Sequence, residues 1–440
     1  MDASVVMILF IAGIVVSIFL GNKFKFSVGL GGIVFAYLIA VYGLGMKTSD
    51  VINLWPTKIM FIIISITWFF GYANANGTLT KITQIMAYRF RHHPKILPWI
   101  FFLISGCICM TGASPYAPNA VLMPLIIPLS MGMGLNPLFG ATMVNVGSYF
   151  GAQVPWGQGA SIQRGVIEQG ALAGDTQGIL LGVFLSNVLF SIICGVILFI
   201  VFKGWKANKF EDENLLVKPE PMTSKQKQTL ALILLLVVLM VVPSLLGKLG
   251  IAVMGTLSSK LDISFVAFCL AFVCGLLKLA NDKEVIVKHI PWGTIMMLCG
   301  ICTLVNVAVE GGAIELIGSW VGSNVPVIAI APMMTLLAAF MSVFAAGAGV
   351  VDPTLFALVP DMAAAQASLN YNSVYAGICV GANASAVSPF SGGGSLTLAN
   401  VKDEKVRDSM FLPLIGMAVF LSIIAAICST IGVFSWQFHV

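Results

Sequence analysis

The sequence predicts an all-α polytopic membrane protein assembled from two inverted repeats, and three observations carry that prediction. Of the 440 residues 58% are hydrophobic and 9% charged, with a mean hydropathy of +0.98, whereas a soluble globule carries charge on about a quarter of its residues. Apolar runs at 4–20, 27–46, 179–202, 230–246 and 411–434 approach or reach the roughly 20 residues that cross a bilayer. A set of helix-breaking stretches in the first half also returns, in the same order, in the second.

The repeat emerges when residues 134–161, "GLNPLFGATMVNVGSYFGAQVPWGQGAS", are laid without a gap over residues 368–395, "SLNYNSVYAGICVGANASAVSPFSGGGS". Identities fall on Leu135/Leu369, Asn136/Asn370, Gly147/Gly381, Ala152/Ala386, Pro155/Pro389, Gly159/Gly393 and Ser161/Ser395. They include the proline and a glycine of the break itself. Upstream of each copy lies another break, "MTGASPYAPNA" around Ser114 and Pro115 and "GAGVVDPT" around Asp352 and Pro353.

The elements follow in chain order. "MDASVVMILF" has an acid where a secretory signal has bases and shows no small-residue cleavage site, so it is expected to be a retained first helix. The first repeat is expected at 1–204, with a hairpin at about 96–130 and a broken helix at about 136–170. A polar linker at 205–228 leads to the second repeat at 229–440, with a hairpin at about 327–367 and a broken helix at about 371–400. Each half reads as three crossings, an amphipathic arm, the hairpin, the broken crossing and a last crossing. The first arm carries Leu79, Ile82, Ile85 and Met86 at helical spacing, with cations beyond, a pattern suited to the membrane surface. "EGGAIELIGSWVGSNV" is its weaker counterpart. Both hairpin segments are too long for one span and carry Gly and Pro at their middle, so each enters and returns on one side.

Five true crossings per half is an odd number, which gives the halves opposite orientation. Of the 23 lysines and arginines, 18 fall on one face of this topology, which is thereby cytoplasmic. Both termini are then outside, the first hairpin opens inward and the second outward. The same topology accounts for the net charge of +5 without a nucleic-acid partner, because the cations lie in short, separate loops. The nine cysteines read as small buried hydrophobes: the Cys299/Cys302 and Cys107/Cys109 pairs lie in apolar runs with no His nearby, so neither a disulfide nor a metal is expected from them.

Non-helical backbone inside a bilayer leaves amide and carbonyl groups unpaired unless they line protein or a wet cavity. Packing kinks have no reason to recur in register across an inverted duplication, so four matched breaks imply one shared cavity. Helix N-termini aimed at mid-membrane offer N–H donors and a positive dipole end to an anion, and unwound carbonyls suit a cation. Asp352 falls at the tip of the second hairpin, where an ionisable group is costly and a functional candidate. Its "DPT" context equally fits a helix N-cap. Arg164 and Glu168, four residues apart, read as a structural ion pair, and Asp361 as facing the outer water. His92, His93, His289 and His439 fall near membrane ends and offer no catalytic candidate.

The segments "ANASAVSPFSGGGSLTLANV", "GSYFGAQVPWGQGASI" and "HIPWGTIMMLCGICTLVNVAVEGGAIELIGSWV" resemble those of MatC-type dicarboxylate (malonate) carriers of the ion transporter superfamily, relatives of the divalent anion/sodium symporters. The resemblance implies a homodimeric elevator-type secondary transporter, in which scaffold helices stay fixed while a domain carrying the hairpins and broken helices moves the site. It places hairpin tips at Gly112, Ala113, Ser114 and Pro115 and at Val351, Asp352 and Pro353. Its helix breaks fall at Gln153, Val154, Pro155 and Trp156 and at Ser388, Pro389, Phe390 and Ser391. On this reading Ser114, Pro115, Asn119, Gln153, Pro155, Gly157, Asn383, Ser388, Pro389, Ser391, Gly392 and Gly393 are expected on a small organic anion. Gly112, Ser148, Asp352, Thr354 and Ser385 are expected on the coupling ion, sodium or a proton. Membrane lipid is the other expected partner, and no organic cofactor or metal beyond sodium is implied. The tips depart from the Ser-Asn-Thr of the sodium/dicarboxylate symporters, which leaves sodium and proton both open as the coupling ion. A cation/proton antiporter of the same superfamily is the rival within transport. An intramembrane enzyme finds no support in the sequence, which has no HExxH, no second intramembrane Asp paired with Asp352 and no His within a span. A receptor or scaffold would not need matched breaks.

Overall fold

The computed structural model describes residues 2–24, 26–89, 93–110, 115, 117–207, 218–248, 252–261, 263–290, 292–344, 346–399, 401 and 404–436. Throughout these the regular structure is helical. In the first half α1 (Ala3–Phe24), α2 (Val28–Tyr37, prolonged by a π turn over Leu38–Gly43), α3 (Thr48–Asn53) and α4 (Thr57–Ala75) precede an arm, α5 (Thr78–Arg89). Then come α6 (Leu97–Met110) and α7 (Ala117–Gly132), α8 (Pro137–Ala152) and α9 (Gln158–Ile167), and the long α10 (Thr176–Val201). The second half runs α11 (Ser224–Lys248), α12 (Ala252–Lys260), α13 (Ile263–Leu276), α14 (Asp282–Lys288), α15 (Trp292–Glu310) and an arm, α16 (Ala313–Asn324). It ends with α17 (Val327–Phe344), a π turn over Gly347–Val351, α18 (Asp352–Phe356), α19 (Val359–Ala365), α20 (Tyr371–Ser385), α21 (Gly392–Ala399) and α22 (Glu404–Thr430).

By length and composition, four described helical segments are fit to cross a membrane: Ala3–Gly21, Ala173–Val201, Gly347–Ala365 and Lys405–Thr430. The third of these falls within 327–367, expected as a hairpin and not as a crossing; Val28–Gly43, Leu97–Met110, Ser264–Leu276 and Val327–Val343 are shorter apolar helices. Several boundaries differ from expectation. The last five residues of the 205–228 linker already belong to α11, and residues 208–217 of it lie outside the described set. In the first arm Leu79 is buried, Ile85 is exposed, and the side chain of Met86 lies outside the described set.

Packing is built on small residues. In lipid no hydrophobic force pulls one apolar helix onto another, so close backbone approach carries the association. A methyl at Gly147 or Gly151 of α8 would run into the carbonyls of Phe102 and Gly106 on α6. In the other half a methyl at Gly381 of α20 would run into the Thr335 carbonyl of α17, and one at Gly377 into the Thr335 hydroxyl. Gly29 and Gly32 of α2 seat on the α15 backbone at Met297 and Gly300, and Gly318 and Gly322 of α16 seat on α19. The α15–α16 corner turns at Gly312, whose φ of +71° is open to glycine at little cost.

Candidate functional site

The first break separates α8 from α9. Gln153 ends α8, and the Gly157 N–H donates to the Val154 carbonyl at 2.6 Å. No side chain caps α9, so its first-turn N–H groups open onto the break. The Trp156 indole N–H donates to the Met110 carbonyl at 2.8 Å, fastening the break to the end of α6.

The second break separates α20 from α21. Ser388 Oγ accepts from the Phe390 N–H at 3.3 Å, and Ser391 Oγ donates to the carbonyls of Ala386 and Ser388. Ser388, Pro389 and Ser391 are buried and Phe390 is exposed. The two serine hydroxyls thus hold the shape of their own loop.

Two buried polar clusters join the halves. In one, Asn119 Nδ2 of α7 donates to Asn145 Oδ1 of α8 at 3.0 Å and to the Gly393 carbonyl of α21 at 3.1 Å. Asn145 Nδ2 donates to Thr397 Oγ1 at 3.2 Å, and Thr397 Oγ1 donates to the Gly393 carbonyl at 2.8 Å. In the other, Gln163 Nε2 of α9 donates to Asp352 Oδ2 of α18 at 2.9 Å and to Cys379 Sγ of α20 at 3.1 Å. The Cys379 sulfur also accepts from Asn187 Nδ2 at 3.4 Å and Asn383 Nδ2 at 3.6 Å, while Asn383 Nδ2 donates to Asn187 Oδ1 at 2.8 Å.

Asp352 sits where the π turn over Gly347–Val351 passes into α18. Its own backbone is already helical, with φ −59° and ψ −51°. That overturns the reading of Asp352 as an N-cap, which needs an extended backbone. Its carboxylate reaches the other half of the chain, and among the described residues Oδ1 has no hydrogen-bond partner.

The expected site residues divide among these features. Gly112 and Ser114 lie outside the described residues, as does Ala113, and Pro115 is half-buried just before α7. Asn119 and Gly393 meet in the first cluster. Asn383 and Asp352 share the second, so a residue expected on the anion stands with one expected on the coupling ion. Gln153 is buried with its amide beside Gly159, Gly157 is buried, and Pro155 and Gly392 are half-buried. The hydroxyls of Ser148, Thr354 and Ser385 donate to helix carbonyls at Asn145 (2.6 Å), Val350 (2.7 Å) and Ala382 (3.5 Å). Arg164 Nη1 lies 3.7 Å from Glu168 Oε1, in line with an ion pair. Asn145, Gln163, Asn187, Cys379 and Thr397 were not among the expected site residues. The repeat held a signal for four of them: with Pro155 over Pro389, Asn145 falls on Cys379 and Gln163 on Thr397.

A cavity of about 780 Å³ lies between residues 53–57, α15 and α16 on one side and the end of α9, α18, α19 and Tyr375 of α20 on the other. Pro353, next to Asp352 in the sequence, belongs to its lining, which carries Glu310, Glu315 and Asp361 and, among the described residues, no lysine or arginine.

Comparison with known proteins gives two findings. Residues 1–152 match the family model described as the N-terminus of dicarboxylate carrier protein MatC, which bears out the resemblance over the first third of the chain. The segment "ANASAVSPFSGGGSLTLANV" lies beyond that match. Among solved structures, the YdaH transporter of Alcanivorax borkumensis, described as having an unusual topology, superimposes with a TM-score of 0.62 over 91% of each chain at 14% identity. The chain therefore has the fold of a known transporter structure. No curated protein matches the chain.

Proposed function

We propose that this protein is a secondary-active transporter of small organic anions, dicarboxylates in particular, coupled to a sodium or proton gradient and working as a homodimeric elevator. The observation that carries the reading is the exchange of contacts between halves: the return arm of each hairpin meets the second part of the other half's broken helix, through Asn119–Gly393 and Gln163–Asp352. Such an arrangement belongs to a site shared by two inverted repeats at mid-membrane. The uncapped N-terminus of α9 supplies N–H donors and a positive dipole end for a carboxylate without the desolvation cost of a buried arginine. The MatC match over the first 152 residues favours a dicarboxylate.

In the proposed cycle the anion lies between the two breaks while the cation neutralises the second cluster. The charge-compensated domain then slides past the scaffold, and the site opens on the other side. The proposed topology puts the linker in the cytoplasm, both termini outside, and the acidic cavity on the outer side. One observation favours the antiporter reading: Asp352 is a buried carboxylate whose sequence neighbour Pro353 lines a cavity bearing Glu310, Glu315 and Asp361, carboxylates that attract cations. Uptake of labelled malonate and succinate by proteoliposomes, with and without an inward sodium or proton gradient, tests both. Gradient-dependent accumulation supports symport. Sodium-driven proton efflux without any organic anion supports the antiporter, and neither result would remove the transport reading.

A further inference from the structure

We infer, on the basis of the transport reading above, that the protein couples to one monovalent cation per cycle, held between Gln163 and Asp352, and that the equivalent contact in the other repeat has become a neutral clasp that holds none. The two polar clusters occupy matching positions. Each joins a hairpin's return arm, the first part of the same half's broken helix, and the second part of the other half's broken helix. The register that sets Pro155 over Pro389 also sets Asn145 over Cys379 and Gln163 over Thr397, and the paired contacts measure 3.2 Å and 3.1 Å. What differs is their hydrogen-bond closure.

In the Asn119 cluster both amide groups use their donors within the protein: Asn119 on Asn145 and Gly393, Asn145 on Ala141 and Thr397. One neutral oxygen, Asn119 Oδ1, is left without a partner among the described residues. In the Asp352 cluster the Cys379 sulfur gathers three amide donors. Gln163 is thereby turned so that its Oε1, like Asp352 Oδ1, is buried without a partner among the described residues. Asp352 is 2% exposed and Gln163 fully buried. One amide donor does not compensate an ionised carboxylate taken out of water. Two unpartnered oxygens, one of them anionic, are what a sodium ion or a proton would satisfy, since hard cations take oxygen ligands.

The other titratable groups on elements packed against α18 are Arg164 and Glu168 of α9, Cys299, Cys302 and Glu310 of α15, and Tyr371, Tyr375 and Cys379 of α20. Arg164 stands next to Glu168, and the cavity that reaches Pro353 brings Glu310, Glu315 and Asp361, all favourable to an arriving cation.

The test uses the purified full chain in detergent without any organic anion. Its melting midpoint is followed as NaCl replaces choline chloride at constant ionic strength, and separately as pH varies in sodium-free buffer. One of the two arms should give a single saturating response with a Hill coefficient of about 1. Sodium coupling appears in the first arm and proton coupling in the second alone. Asp352→Asn should abolish the response and Gln163→Met should weaken it at least tenfold, whereas Thr397→Val should leave its midpoint unchanged. A Hill coefficient near 2, a response that survives in Asp352→Asn, its loss in a folded Thr397→Val, or no response in either arm would overturn the inference. Failure of the transport reading is separable, because the flux assays, anion uptake and sodium-driven proton efflux, decide it and the melting response does not.

Discussion

Gln163 of the first half places its amide 2.9 Å from the carboxylate of Asp352 in the second, so the one carboxylate at the hairpin tip is held by a residue 189 positions away in the chain. The contact makes Asp352 a point at which hairpin and broken helix sense each other. A change of charge there is felt by both halves.

Asp352→Asn should therefore remove gradient-driven accumulation while leaving exchange of anion for anion. The amide oxygen of Asn can still accept from Gln163, but the residue can no longer carry the charge. Uptake and counterflow measured on the same proteoliposomes decide it, and an Asn variant with wild-type ion dependence would leave Asp352 a structural role only.

Asn119→Leu removes the donor to Asn145 Oδ1 and one of two donors to the Gly393 carbonyl. A buried acceptor left in this way costs about 1–3 kcal/mol. Ser388→Ala, which loses only the 3.3 Å bond from the Phe390 N–H, should cost about 0.5–1 kcal/mol. Thermal unfolding of the two variants should rank them in that order. Equal midpoints would mean that the Asn119 cluster does not bind the halves together.

A side chain at Gly393 would press on the Ala386 carbonyl and come 3.0 Å from Asn145 Oδ1. Gly393→Val is accordingly expected to distort the second break and to lose the ligand-induced thermal shift with malonate or succinate, while protein is still expressed. A normal shift in this variant would make "SAVSPFSGGG" a packing kink and put the cradle elsewhere.

The positions of these breaks are legible in the sequence because Gly and Pro act locally. Helices end at Ala152 and Ser385 and resume at Gln158 and Gly392, bracketing Pro155 and Pro389. Helices over Leu97–Met110 and Ala117–Gly132, and over Val327–Phe344, Asp352–Phe356 and Val359–Ala365, occupy the stretches expected to form the hairpins. Side-chain partners across the halves are a different matter. Asn145, Gln163 and Thr397 sit inside helices whose local pattern is that of buried packing, and their meeting depends on how two distant segments cross. Asp352 was ambiguous because "DPT" is a good cap sequence. The π turn over Gly347–Val351 carries helical backbone through it and releases the carboxylate toward Gln163, which no local signal announces.

The proposed sidedness rests on the 18 to 5 division of lysines and arginines. In a background lacking the exposed Cys107 and Cys269, Lys218→Cys in the linker should be shielded from a membrane-impermeant thiol reagent in intact cells, and Ser435→Cys should react. Labelling of the linker from outside would reverse the topology and the direction in which each hairpin opens.

The most direct measurement of gradient-coupled anion transport is the steady-state ratio of labelled malonate or succinate inside and outside wild-type proteoliposomes under an imposed ion gradient. The account predicts a ratio above equilibrium for at least one of the two anions, collapsing when an ionophore dissipates the gradient. A ratio that stays at equilibrium for both anions under sodium and proton gradients alike would contradict it.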